Sequence, residues 1–228
     1  MPENKLDLQQ ALEDCNTEIT NNSHDRSARI KRIDLYSKLD FHNTLTEKEY
    51  KIAIADYNWL KPETFHPKKI AAKAYLFTYD YQRAETIFNL FDYEKNFYNV
   101  NFKAPYLELN ISLCRLGKNS LQESDRNYFE MIFLGAEKLP ISYLILLGIT
   151  CLKTSVRDFN NKSQEIKSLI YENLNQNILS PGDQERLKKF LRMAAEKNFS
   201  SKLFTQTSHE PPTNNLNDLT ILTYKSKK

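Results

Sequence analysis

Apolar positions along this chain recur at intervals of three and four residues almost from end to end, and two-residue alternation is confined to its last stretch. Within residues 68–91, Ile70, Ala71, Ala74 and Phe77 mark one helical stripe, and Tyr81, Ala84, Ile87, Phe88 and Phe91 mark a second after a short turn. Such a pattern predicts two close-packed helices, with small residues where the backbones approach and aromatics where they diverge. Upstream, Leu8, Leu12, Cys15 and Ile19 predict a helix over 4–20, ended by the polar run NNSH. A further helix over 25–39 carries Ile30, Ile33 and Tyr36 on one side. Thr46 and Glu49 stand at the spacing of a capping box, which starts a helix whose buried stripe is Tyr50, Ala53, Ile54 and Tyr57 and which stops before Pro62.

Pro67 suits the first turn of the next helix, where its missing N–H costs nothing. Residues 92–104 interrupt the period and form an aromatic-rich connector, either an extra turn of helix or a lid. Pro105 is expected to start a helix with Tyr106, Leu109, Leu113 and Cys114 inward and a left-handed stop at Gly117. The capping-box spacing repeats at Ser120–Glu123, before a stripe of Tyr128, Phe129, Ile132, Phe133 and Ala136 that Pro140 punctuates. Residues 141–152 are apolar nearly all round, which predicts a central helix packed on both sides. Ile166, Leu169, Ile170 and Leu174 mark another helix, and Ser180-Pro181-Gly182-Asp183 opens a last one with Leu187, Phe190, Leu191 and Ala194 inward. From Thr205 the chain has little to bury and two prolines, so a disordered C-terminal tail over 205–228 follows a single helical domain over 1–204. The fold class is all-α, with about nine or ten helices.

The central pair resembles a tetratricopeptide repeat. Ala72 and Tyr75 fall on the small and aromatic positions of the first helix, and Tyr81, Ala84 and Phe88 on the aromatic, small and aromatic positions of the second. Lys68, Phe91 and Asn96 depart from the pattern, standing where a large apolar residue, a small residue and proline are usual. Tyr106, Leu109 and Leu113 are similar to the large positions of another first helix, with Asn110 in place of a small residue, and Leu147, Gly148 and Cys151 to those of a third. The resemblance covers roughly 67–174. It implies a right-handed array of antiparallel helix pairs, a TPR-like α-solenoid, and the role such arrays usually have as adaptors, co-chaperones or scaffold subunits of larger complexes.

Composition narrows the chemistry. Only four glycines occur and neither GxGxxG nor GxxxxGK[ST] is present, so nothing supports a phosphate-cradling loop. Three cysteines without a CxxC or CxxH spacing and four scattered histidines give no metal set, and no cofactor is expected. No nucleophile and base motif appears. Asp14 and Glu18 form the clearest i, i+4 acid pair but lie on a polar helix face, while Asp56 and Glu108 sit among apolar neighbours without a second acid. No catalytic residue is therefore assigned, and the chain is read as non-enzymatic. The polar N-terminus and the lack of any run near ~18 apolar residues point away from a signal peptide and a membrane span, and towards a cytoplasmic or nuclear protein.

The leading expectation is a scaffold or adaptor that binds a peptide or a neighbouring subunit through the helical array. The alternative is nucleic-acid association through two basic helices, 25–39 with Arg29 and Arg32, and 181–199, where Arg186, Lys188, Lys189 and Arg192 flank the apolar stripe. The net charge of +3 is low for that purpose, and both basic faces also read as solvated surface. Lys69 and Lys73 on the central pair join the candidate partner-binding residues. Trp59 is either a groove anchor or a core contact at a helix end. In the tail, Leu219, Ile221 and Tyr224 belong to a β-prone run that adds to a partner's sheet edge, folds back on the array, or touches nothing.

Overall fold

A computed structural model describes residues 5–42, 45–61, 65–98, 106–134, 138–174 and 179–205. These residues form helices α1 (Lys5–Asn21), α2 (Arg26–His42), α3 (Glu47–Leu60), α4 (Phe65–Phe77), α5 (Tyr81–Tyr98), α6 (Leu107–Gly117), α7 (Glu123–Phe133), α8 (Ile141–Lys153), α9 (Arg157–Asn160), α10 (Ser163–Leu174) and α11 (Pro181–Thr205), and no strand among the described residues. The all-α class follows directly from the periodicity. The extra element is α9, a single turn too short to carry a stripe of its own.

Local chemistry explains most boundaries. Thr46 caps α3 as expected: its Oγ1 accepts from the Glu49 N–H at 3.3 Å, and the Glu49 carboxylate accepts from the Thr46 N–H at 2.7 Å. Other boundaries move. Helix α4 begins at Phe65, so Pro67 lies inside its first turn and does not open it. Helix α5 runs unbroken to Tyr98, so the first half of the expected connector is helical. Helix α6 starts at Leu107, two residues beyond Pro105, with Tyr106 in the left-handed region at φ 69°.

Gly117 is not the left-handed stop. That conformation falls on Asn119 at φ 59°, whose N–H reaches the Leu116 carbonyl while the Ser120 N–H reaches that of Arg115. Gly117 is required for a different reason: a Cβ there would lie 2.3 Å from the Tyr81 ring. The second capping box also shifts by two residues. Gln122 donates its N–H to Asp125 at 2.9 Å, because Asp125 is already fixed by Ser112 Oγ at 2.6 Å and by Arg115.

Each helix from α1 to α5 packs on its successor, and α2 also touches α4, as α6 touches α8. Helix α8 is the hub, buried from Tyr143 to Cys151 and packed against α6, α9, α10 and α11, which matches its all-round apolar sequence. Gly148 lets α11 approach, since a Cβ there would stand 2.7 Å from the Phe190 ring. Helices α4 and α5 pack on each other, and Ala71, Ala74 and Ala84 on them are buried. One continuous apolar cluster runs from Leu8 to Leu191. Helix α11 does more than extend the array. It returns to the start of α3, where Arg186 Nη1 donates to the Leu45 carbonyl at 2.9 Å and Lys189 pairs with Glu47 at 3.0 Å.

Candidate interaction surface

The cations singled out in the sequence divide into those facing inward and those facing out. Arg29 and Arg32 are not a solvated basic face. Arg29 Nη1 bonds Asp56 at 2.6 Å, and Arg32 grips both Asp56 oxygens at 2.7 and 2.8 Å while its Nη1 reaches Asn16 at 2.7 Å. Asp56 is completely buried, so α1, α2 and α3 are tied through one carboxylate. Room for it comes from the stripe: Ile54 and Tyr57 are only half-buried, and Ile30, expected inward, is exposed. Lys73 pairs with Asp40 at 2.7 Å, the carboxylate that also accepts from the Tyr50 hydroxyl at 2.7 Å. Arg186, expected on a solvated flank of α11, is buried, with its guanidinium carbon 4.8 Å from the centre of the Phe77 ring. Lys69, Lys188 and Arg192 are exposed.

On α3 the outward residues Lys48, Ala55 and Trp59, with the half-buried Ile52, follow at helical intervals and make a stripe about 16 Å long. At one end a groove of about 500 Å³ separates α3 from α11, lined by Glu47, Lys48, Lys51, Ile52, Ala55 and Glu185. At the other end stands Trp59, 40% exposed, with the Arg29 guanidinium 4.8 Å from its ring centre and the His24 ring at 6.5 Å. Because Asp56 fixes Arg29, the cation beneath the indole is already ordered. A partner covering Trp59 gains apolar contact without first immobilising its support.

A second feature has no counterpart in the sequence reading. Tyr79 closes α4 in the left-handed conformation at φ 69°, with its N–H on the Leu76 carbonyl and the Asp80 N–H on that of Tyr75. Lys153 Nζ of α8 lies 3.8 Å from the centre of its ring and Lys189 Nζ of α11 lies 4.3 Å from it. The buried Tyr79 hydroxyl and Arg186 Nε have no hydrogen-bond partner among the described residues. Burial pushes the Tyr79 hydroxyl well up, and burial followed by the Lys189 charge pulls Lys153 down. The three residues come from separate helices, so no local spacing signals the cluster.

Among the described residues no group of three or more His, Cys, Asp or Glu side chains could hold a metal ion, and no helix is long and apolar enough to cross a membrane. Leu219, Ile221 and Tyr224, with the rest of the expected tail from residue 206, lie outside the described residues. Comparison with known proteins finds no matching family model, no matching curated protein and no matching solved structure.

Proposed function

We propose that this chain is a non-catalytic interaction protein, a scaffold or adaptor subunit of a larger complex that holds a peptide or neighbouring subunit on its helical array. The observation that carries this reading is the outer stripe of α3, where Trp59 stands exposed on an Arg29 that Asp56 immobilises. Exposed tryptophan on an ordered support is what binding hot spots are built from. The finer architecture, a right-handed stack of tetratricopeptide-like helix pairs, is part of the proposal. It is supported by the pairing of successive helices from α1 to α6, the next-but-one contacts of α2 with α4 and α6 with α8, and the buried alanines of α4 and α5. A cytoplasmic or nuclear setting accords with three buried free cysteines that serve as small hydrophobes.

Affinity purification of the full chain, followed by identification of stoichiometric partners, tests the reading. A scaffold returns a defined set of proteins, and Trp59→Ala reduces their recovery by a factor of ten or more, about 1.4 kcal/mol or greater, while the folded state keeps its thermal stability. Recovery unchanged by Trp59→Ala removes α3 as the docking face. The nucleic-acid alternative is less well supported, because Arg29, Arg32, Arg186 and Lys189 already engage groups within the chain.

A further inference from the structure

The Tyr79 cluster holds more positive charge than its surroundings balance. Glu47 is the one carboxylate paired there among the described residues, and it is fully engaged, one oxygen with Lys51 at 2.9 Å and the other with Lys189 at 3.0 Å. Lys153 has no carboxylate within ion-pairing distance among the described residues, yet it lies over the same ring as Lys189. The two ammonium groups are therefore no farther apart than the sum of their distances to that ring. Burial first, and the nearby Lys189 charge second, lower the affinity of Lys153 for its proton. The Tyr79 ring also packs against the apolar core, 6.4 Å from the ring of Tyr81. A glycine would adopt φ 69° at the end of α4 without strain, whereas a residue with a Cβ is strained there. The tyrosine instead places a ring, electron-rich on its faces, beneath two cations. Arg192, three residues beyond Lys189 and exposed, continues the positive strip along α11.

We propose that Lys153 and Lys189, stacked on Tyr79, together with Arg192 one turn further along α11, form a docking site for an acidic segment of a protein partner, whose carboxylates meet Lys153 and Arg192. This rests on the interaction-protein reading and specifies the chemistry of the partner. An acidic peptide fits better than a nucleic acid because Glu47, Glu185 and Glu196 interrupt the strip, and a phosphate backbone needs a longer uninterrupted track. Charge complementarity of this kind sets partner choice and encounter rate more than depth of affinity.

Fluorescence anisotropy of a labelled oligo-glutamate peptide, titrated with the full chain, tests the site. The peptide binds at low salt and weakens as salt rises. Lys153→Gln lowers affinity about tenfold, the loss of one charge-assisted contact, whereas Lys31→Gln, an equal charge change at an exposed position of α2, stays within about twofold. Tyr79→Phe keeps the ring and binds like the parent, and Tyr79→Leu, which removes the platform, binds as weakly as Lys153→Gln. Equal losses for Lys153→Gln and Lys31→Gln overturn the site, because binding then follows net charge alone. An oligonucleotide of matched charge that binds as tightly, with the same Lys153 dependence, overturns the choice of an acidic protein segment. If the peptide fails to bind while purified partners still depend on Trp59, this inference falls and the α3 reading stands. If the peptide binds through Lys153 but no stoichiometric partner is recovered, the site stands and the scaffold reading falls.

Discussion

Two groups of cations in this molecule have opposite fates. Around Asp56, Arg29 and Arg32 converge on a single buried carboxylate and every geometry is that of a direct charge-assisted bond. Around Tyr79, Lys153 and Lys189 share a ring and only Lys189 has a carboxylate. The first group holds the fold together and has nothing left to offer a ligand. In the second, Lys189 ties α11 to α3 through Glu47, whereas Lys153 rests on the Tyr79 ring with no carboxylate within ion-pairing distance among the described residues. A basic side chain's role here is decided by what lies opposite it in space, not by the density of basic residues around it in the chain.

The sharpest way to break the comparison is Asp56→Ala. It leaves two largely buried guanidinium groups without their anion, and the expected loss is about 3–5 kcal/mol in urea unfolding. A loss below about 1 kcal/mol would place the Asp56 group with ordinary surface pairs and erase the distinction.

Alkaline pH probes both groups through their tyrosines. Burial pushes the Tyr36 hydroxyl, beside Arg32, up to about 12 from its ordinary 10.0. Tyr50, Tyr79, Tyr81 and Tyr143 move in the same direction for the same cause. Between those two values the unfolded chain has released the Tyr36 proton and the folded chain has not, so the unfolded state binds fewer protons and stability falls as pH rises. Stability is fully present below about pH 10, and Tyr36 alone removes roughly 2–3 kcal/mol by the time pH passes its folded value. Urea midpoints measured against pH, with tyrosinate absorbance as a second readout, check this. An unchanged midpoint between about pH 9 and pH 11.5 would contradict it.

Gly148→Ala tests whether α11 is held firmly enough to present Lys189 to Tyr79. The new Cβ would meet the buried Phe190 ring, and overpacking there costs about 1–3 kcal/mol. The same variant displaces α11 from α8 and weakens binding of an acidic peptide beyond its effect on stability. The smallest expected effect completes the contrast: Lys153→Gln changes unfolding free energy by no more than about 0.5 kcal/mol, since no ion pair is lost. A loss of 2 kcal/mol or more, on the order of a buried pair, would make Lys153 structural.

Much of the fold was legible before any coordinates. The all-round apolar run of α8, the buried alanines of α4 and α5 and the Thr46–Glu49 box are written in short-range spacing, and a helix reads spacing directly. The misplacements share one cause. Gly117 reads as a helix stop from its position alone, but its backbone is helical and its lack of a side chain serves Tyr81 on another helix. Asp125 takes over the second capping box because Ser112 and Arg115 on α6 already hold it.

The chain by itself determined where helices form and which residues are too apolar to leave in water. Tertiary structure decided the fate of the charges. Asp56 reads as an acid stranded among apolar neighbours until α2 brings Arg29 and Arg32 to it, and Arg186 reads as surface until α11 folds back to the start of α3. Tyr79 becomes a platform only when α8 and α11 deliver lysines to one ring. Helical periodicity is a property of neighbours within a few residues, whereas the free energy of a charge depends on the field at the place where folding puts it, and that field is made by groups far away in the chain.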